Sequence, residues 1–385
     1  MLCAASIAAR PALEVADIVR DFGEAFRHTH TLTPDQAEAL RAIARCRTSA
    51  LGGHLDTCDR CGFSQPSYNS CRNRHCPKCQ GAAQQEWIDE RAKRMLPVGH
   101  FHVVFTVPDV LHRLAAYRRE EIFGALFASA SATLLELGRS RLSSELGFTM
   151  VLHTWTRDLR FHPHVHAIVS AGGLALDGAR WLDQRRFLLP VRVLGALFRG
   201  KMLDAVRRLY ARGAFAGFDD FRDPEAFDRL MAKLANKRWI VYAKRPFGRP
   251  EDVLAYLGRY THRVGISNRR LLGRRGDQIT FAIKNGQTAT VDGVTFLRRF
   301  VQHVLPKRFV KIRHYGLYAS SHVDTTLATA RTLLTPSTSP TSDPTPTSSP
   351  TTTTTPDETK TPRACPSCGT GSLVATPLPE IVDSS

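Results

Sequence analysis

Two short runs carry residue types that could do chemistry together. In Phe161-His162-Pro163-His164-Val165-His166-Ala167-Ile168-Val169, His164 and His166 stand two apart. On a strand both imidazoles leave the same face, about 7 Å apart along the backbone, close enough to share one ion. His162 shares the face, but a flat strand puts it about 13 Å from His166, and Pro163 marks the strand's beginning. The second run is Ala255-Tyr256-Leu257-Gly258-Arg259-Tyr260-Thr261-His262-Arg263, preceded by the acidic pair Glu251-Asp252 that suits a helix start. Four-residue spacing sets Tyr256 and Tyr260 one turn apart on one helical face, in the basic company of Arg259, His262, Arg263, Arg269 and Arg270. A divalent ion on the imidazole pair polarises a scissile phosphate, and a tyrosine oxygen attacks it, leaving a phosphotyrosine link and a free 3′-hydroxyl. The bond energy is conserved, so rejoining needs no ATP, and two tyrosines allow two successive transfers. Tyrosine titrates near pH 10, so the ion and nearby cations must favour its phenolate. For a third ligand the sequence leaves His102, His153, Asp158 and His262 open.

A second chemistry lies nearer the start. Cys58-x-x-Cys61 and Cys76-x-x-Cys79 offer four thiolates in two tight turns, with Gly62 after the first pair and Pro77 inside the second, the usual holder of a tetrahedral structural Zn²⁺. Cys46, His54, Cys71 and His75 alternate with those pairs along the chain and could hold a second zinc in a cross-braced arrangement; otherwise the histidines are polar or DNA-contacting residues and the cysteines small buried hydrophobes. Closed four-ligand sites organise a fold rather than carry chemistry. Arg60, Arg72, Arg74 and Lys78 around them make DNA backbone contact the expected use of that fold. Cys365-Pro366-Ser367-Cys368-Gly369 is half of a further zinc knuckle, with no second half visible in its neighbourhood.

The elements that must position these groups follow from periodicity. Helical apolar spacing runs from Pro11 to Phe26, and Thr33-Pro34-Asp35-Gln36 reads as an N-cap, a first-turn proline and a capping-box glutamine opening a helix that ends near Cys46. A charged helix is expected over Gln84 to Met95. From His100 the pattern changes to strands at Phe101 to Val107, Phe148 to Trp155 and Phe161 to Ser170, with a long helix through about Arg139 and further helices at about Val191 to Arg212 and Pro250 to Tyr260. Strands alternating with long helices predict an α+β fold. After about Thr332 the chain is almost wholly Thr, Ser and Pro up to Pro362, a composition expected to stay a flexible tether.

Composition sets the partner class. Lys and Arg number 53 against 35 Asp and Glu, a net charge of +18. Only three basic and five acidic residues lie from Arg331 onward, so the preceding body holds 50 against 30. Such a field attracts polyanions, foremost nucleic acid. Further basic clusters at Trp239 to Arg249 and Lys307 to Arg313 read as strand-binding surfaces or as solvated faces. No run of about 18 apolar residues and no secretory leader is seen. The nine cysteines then read as metal-binding thiols in a reducing compartment, and a cytoplasmic, nucleoid-associated protein without membrane contact is expected.

The set of Leu51-Gly52-Gly53-His54, Asn69-Ser70-Cys71-Arg72-Asn73-Arg74-His75-Cys76-Pro77-Lys78-Cys79, Phe161-His162-Pro163-His164-Val165-His166, Tyr256-Leu257-Gly258-Arg259-Tyr260-Thr261-His262-Arg263-Val264 and Arg313-His314-Tyr315-Gly316-Leu317 resembles the two-tyrosine HUH transposases of the insertion-sequence ninety-one family. The resemblance covers Cys46 to Leu317. It implies an HUH-nuclease-like antiparallel sheet flanked by helices, preceded by a helical zinc-binding module and followed by a disordered tail. It implies His164 and His166 as the metal pair, Mg²⁺ or Mn²⁺ as the working ion, Tyr256 and Tyr260 as nucleophiles, and single-stranded DNA at transposon ends and in the target as substrate. Arg72, Arg74, Lys78, Arg259 and Arg263 are the expected DNA contacts. The expected domains are a zinc-binding DNA-binding domain over 1–96, a catalytic domain over 97–325, a Ser/Thr/Pro-rich linker over 326–363 and a tail over 364–385. Two other readings use the same residues: a non-catalytic zinc-dependent DNA-binding protein, and a plasmid replication initiator or relaxase.

Overall fold

The computed structural model describes residues 12–79, 94–184, 188–221, 223, 225–247, 265–335 and 363–378. These form two units, one of residues up to 44 with 72–334, the other of 45–71 with the residues from 335 on.

In the larger unit the chain opens with helices α1 (Val15–Thr29) and α2 (Pro34–Arg45). The cap read from the sequence is built: Thr33 N–H donates to Gln36 Oε1 at 3.0 Å and Gln36 N–H to Thr33 Oγ1 at 3.3 Å. Each side chain thereby satisfies a helix-end or preceding N–H that the helix itself cannot. Strands β1 (Gly53–Cys58) and β2 (Ser64–Tyr68) belong to the smaller unit. The larger one resumes with β3 (His100–Thr106), the short helix α3 (His112–Tyr117), α4 (Arg119–Leu142), β4 (Ser144–Trp155), β5 (Phe161–Ala175), β6 (Trp181–Asp183), α5 (Val191–Ala211), α6 (Ala226–Asn236) and β7 (Ile240–Phe247). A meander of β8 (Leu271–Arg275), β9 (Gln278–Ala282) and β10 (Thr288–Asp292) leads into α7 (Gly293–Val301), β11 (Ile312–Gly316) and α8 (Thr326–Leu334). The central sheet runs β11-β4-β5-β3-β7, all antiparallel, with β6 on the far end of β5.

Strand alternation decides which face does what. Pro163, Val165, Ala167 and Val169 of β5 point into the main core, where the last three meet Phe123, Phe127 and Leu134 of α4 and Phe198 and Met202 of α5. The intervening His162, His164 and His166 therefore stand on the opposite face of the sheet. Farther along β5 that second face is also covered, by a small cluster of Val151 and Ile168 with Met95 and Ile312. Helix α4 is long and apolar enough to cross a membrane, but here those apolar residues are the middle of the core.

Two glycines mark forced close approaches. A Cβ on Gly293, where α7 begins, would sit 2.3 Å from the Phe22 ring of α1. Gly316, at φ +57, closes β11 so near to β4 that a Cβ would lie 1.8 Å from the Leu146 carbonyl oxygen.

The smaller unit is one antiparallel sheet, with β1 between β2 and β12 (Leu373–Leu378). Residues 363–378, expected to continue a tail, are instead the third strand and its lead-in, because β1 offers them a free edge over the full register Gly53↔Leu378 to Cys58↔Leu373. Of the Ser/Thr/Pro-rich linker expected over 326–363, residues Thr326–Leu334 are instead helix α8, whose Leu327 and Ala330 are buried, and 336–362 lie outside the described residues, as do most of the helix expected over Gln84 to Met95 and all of that expected over Pro250 to Tyr260.

Candidate metal centre

His164 and His166 reach the face of β5 opposite the main core by alternation, and β4 brings a third imidazole beside them. Its register sets His153 directly across from His164. Ring centroids of His153 lie 5.4 Å from His164 and 4.3 Å from His166, and those of His164 and His166 are 4.9 Å apart. One nitrogen from each of the three falls within 4.8 Å of the others. Sequence spacing could place the pair on β5, whereas the third ligand depends on the register between two strands.

The second nitrogens fix the rings. His164 Nδ1 lies 2.7 Å from the His162 carbonyl oxygen, which accepts its proton and leaves Nε2 with the lone pair. His166 Nδ1 lies 2.7 Å from His102 Nε2, with the two rings stacked 2° from parallel. His102 thus serves His166 rather than the ligand cluster. Asp158, another candidate, accepts from Thr156 Oγ1 at 2.5 Å and pairs with Arg160 at 2.7 Å in the β4–β5 turn. His262 lies outside the described residues. Trp155 stacks on His153 with centroids 4.7 Å apart and 22° between planes, a flat apolar wall the sequence reading did not single out.

Electrostatics favour ligation. Burial, with the neighbouring His162 and His102 adding to it, pulls His164 down to about 4 against the bond to the His162 carbonyl. His166 is held well below its ordinary range by burial first, then by His153, His164 and His102. Both rings are neutral at pH 7, which is the form that binds a metal. Three converging imidazoles, these two neutral and fixed through their second nitrogens, fit a divalent ion.

Tyr256, Tyr260, Arg259 and Arg263 lie outside the described residues. Among the expected DNA contacts in the larger unit, Arg72 is exposed. Arg74 donates to the carbonyls of Phe309 at 2.7 Å and Pro306 at 2.8 Å, so its guanidinium braces the body. Lys78 pairs with Glu14 at 2.6 Å, both side chains under 9% exposed. Lys78, expected to face a phosphate, has its side chain buried on an internal carboxylate instead, while Arg74 is exposed with two of its donors on internal carbonyls.

The cysteine pairing is also corrected. Within the smaller unit Cys58 and Cys61 converge with Cys365 and Cys368. The strand pairing of β12 with β1 brings the distant pair there. Cys76 and Cys79 form their own turn in the larger unit, Cys79 N–H to Cys76 O at 3.1 Å. In the alternating set of Cys46, His54, Cys71 and His75, both histidines face other groups. Cys71 N–H reaches Cys46 Sγ at 3.5 Å, but His54 Nε2 lies 3.3 Å from Asp56. His75 faces Asn73 Oδ1 at 3.1 Å through Nδ1 and accepts from Leu305 N–H at 3.1 Å through Nε2. Burial, then Arg74 and Lys311, holds His75 at about 3.

Residues 147–325 match the family model described as “Putative transposase”, and residues 18–107 the one described as “Transposase zinc-binding domain”. The chain is 40% identical over 379 residues to “Putative transposase y4qJ” of Sinorhizobium fredii, covering 95% of each chain. It is 29% identical over 301 residues to the transposase for insertion sequence element IS801 of Pseudomonas savastanoi pv. phaseolicola, covering 74% of this chain and 70% of that one. No solved structure matches it.

Proposed function

Since the chain belongs to the transposases of the insertion-sequence ninety-one family, with their zinc-binding domain near its start, we propose that it nicks and rejoins single-stranded DNA at the ends of an insertion sequence through a 5′-phosphotyrosine link, with a divalent ion on His153, His164 and His166. The observation that carries this reading is the convergence of three imidazoles on one face of the sheet, two of them held neutral by burial.

In this reading the ion, Mg²⁺ or Mn²⁺, supplies Lewis-acid charge to the non-bridging oxygens of the scissile phosphate. The chain's own residues do the rest. His162 and His102 hold the ligand rings in position through their second nitrogens. Trp155, beside His153, offers a face on which an unpaired base can stack. The phenol oxygen of Tyr256 or Tyr260 forms a bond to phosphorus while the phosphorus–O3′ bond breaks. The phenolic proton is replaced on balance by one on the released 3′-hydroxyl. Attack of a 3′-hydroxyl on the phosphotyrosine reverses the step and frees the tyrosine, and the second tyrosine allows a second strand to be carried. A structural zinc held by four thiolates would have no open coordination position and would take no part in the transfer.

The test uses end-labelled single strands from the element's ends, incubated with full-length protein and Mn²⁺ or EDTA. Cleavage should need the ion and should fall at least about 100-fold in His153→Ala, as it does for loss of a group acting only in the transition state. Cleavage undiminished in His153→Ala would remove the three-histidine centre. Binding without cleavage under any ion would leave a zinc-dependent DNA-binding protein.

A further inference from the structure

Cys58-x-x-Cys61 ends β1, and Cys365-x-x-Cys368 precedes β12, some 300 residues on. The two pairs nevertheless face each other. Cys58 Sγ lies 3.8 Å from Cys368 Sγ, and Cys61 Sγ lies 3.7 Å from Cys365 Sγ, with all four sulfurs inside 4.8 Å of one another. A disulfide would need about 2.05 Å. A tetrahedron of thiolates around zinc, at about 2.3 Å per bond, has edges of about 3.8 Å.

Backbone N–H groups also point at three of the four sulfurs. Arg60 and Cys61 aim backbone N–H groups at Cys58 Sγ at 3.4 and 3.5 Å. Ser367 N–H reaches Cys365 Sγ at 3.4 Å and Gly371 N–H reaches Cys368 Sγ at 3.3 Å. The approach is close enough to require glycine at 371, where a Cβ would come within 2.4 Å of Cys58 Sγ.

Independent contacts hold the distant segment in place. Arg363 forks onto both oxygens of Asp56, at 2.9 and 3.0 Å, and Asp56 is 1% exposed. Asp59 N–H donates to Ser372 O at 3.1 Å, and Ser372 N–H donates to Asp59 Oδ1 at 2.9 Å. The zinc-binding family match ends at residue 107, so it contains only half of this ligand set.

From this geometry we propose that Cys58, Cys61, Cys365 and Cys368 bind one structural zinc ion, making residues 363–378 an integral part of the zinc-bearing module. Zinc would be counted in the purified full-length protein and in three variants: Cys58→Ser/Cys61→Ser, Cys365→Ser/Cys368→Ser and all four together. Each double variant should lose one zinc per chain, and the quadruple variant should lose no more than either. Full zinc content in Cys365→Ser/Cys368→Ser, or losses that add in the quadruple variant, would overturn the assignment. A measurement on the unaltered protein guards against misfolded variants. With zinc bound, Cys365 and Cys368 should resist N-ethylmaleimide, and chelation should expose them in step with Cys58 and Cys61. Immediate labelling of Cys365 and Cys368 in protein that keeps all its zinc would contradict it equally.

Discussion

The three imidazoles differ in what orients them, and their substitutions should differ accordingly. His164 is set by a backbone carbonyl of its own strand, whereas His166 depends on the side chain of His102. His102→Ala should therefore weaken ion affinity about 10- to 100-fold while leaving the ligand atoms in place, so that raised Mn²⁺ restores cleavage. His166→Ala should not be rescued this way. A titration of cleavage rate against Mn²⁺ separates the two, and equal loss of rescue in both would show His102 to be a ligand. An all-imidazole set also favours transition-metal over hard alkaline-earth ions. Half-maximal cleavage is expected at lower Mn²⁺ than Mg²⁺, and the reverse order would argue for oxygen ligands.

At the scale of elements, stability should follow caps, close approaches and buried bases. Removing the Thr33 cap with Thr33→Ala should cost about 1 kcal/mol, read by denaturant unfolding. Gly316→Ala combines a left-handed φ with a clash against backbone that cannot move aside, so its loss should exceed that of the cap and lower Tm by several degrees. His303, between Thr154 Oγ1 and the Leu159 carbonyl, is held at about 3 mainly by burial, and His100 at about 4 for the same reason. Unfolded imidazoles take up protons near pH 6.5, while these two in the fold do so only at about 3 and 4. Stability should thus fall as pH drops from about 6.5 toward 4, by up to about 1.4 kcal/mol per pH unit for each ring. Thermal melts of His303→Gln in chelator should show a shallower acid limb, and an unchanged limb would exclude the assignment.

The same scale explains what the sequence could and could not disclose. Alternation around Pro163 placed His164 and His166 on one face, and Thr33 with Gln36 located a helix start, because both signals are local. His153 joins His164 and His166 only through its pairing with β5, and Cys365 comes near Cys58 and Cys61 only once β12 lies on β1. Neither depends on spacing along the chain. Lys78 looked like a phosphate contact because charge in a sequence carries no record of the Glu14 carboxylate that engages it.

For the whole molecule the dominant quantity is charge. A net +18 concentrated before Arg331 should make DNA binding largely electrostatic and only weakly selective between sequences. If about six or more phosphates are neutralised, affinity for any single strand should fall about 1,000-fold between roughly 50 and 200 mM salt. Cleavage, by contrast, should keep its preference for element ends across that range. Binding insensitive to salt would mean that the basic surface is not the docking surface.

The most direct test of the account is mass spectrometry of the covalent product. Full-length protein would be mixed with an element-end oligonucleotide and Mn²⁺, digested, and searched for a peptide bearing a 5′-linked nucleotide. The account predicts that this peptide spans Tyr256 and Tyr260, that it disappears with EDTA, and that it is absent from His164→Ala and from Tyr256→Phe/Tyr260→Phe. A nucleotide attached to any other residue, or strand cleavage without a covalent peptide, would contradict it.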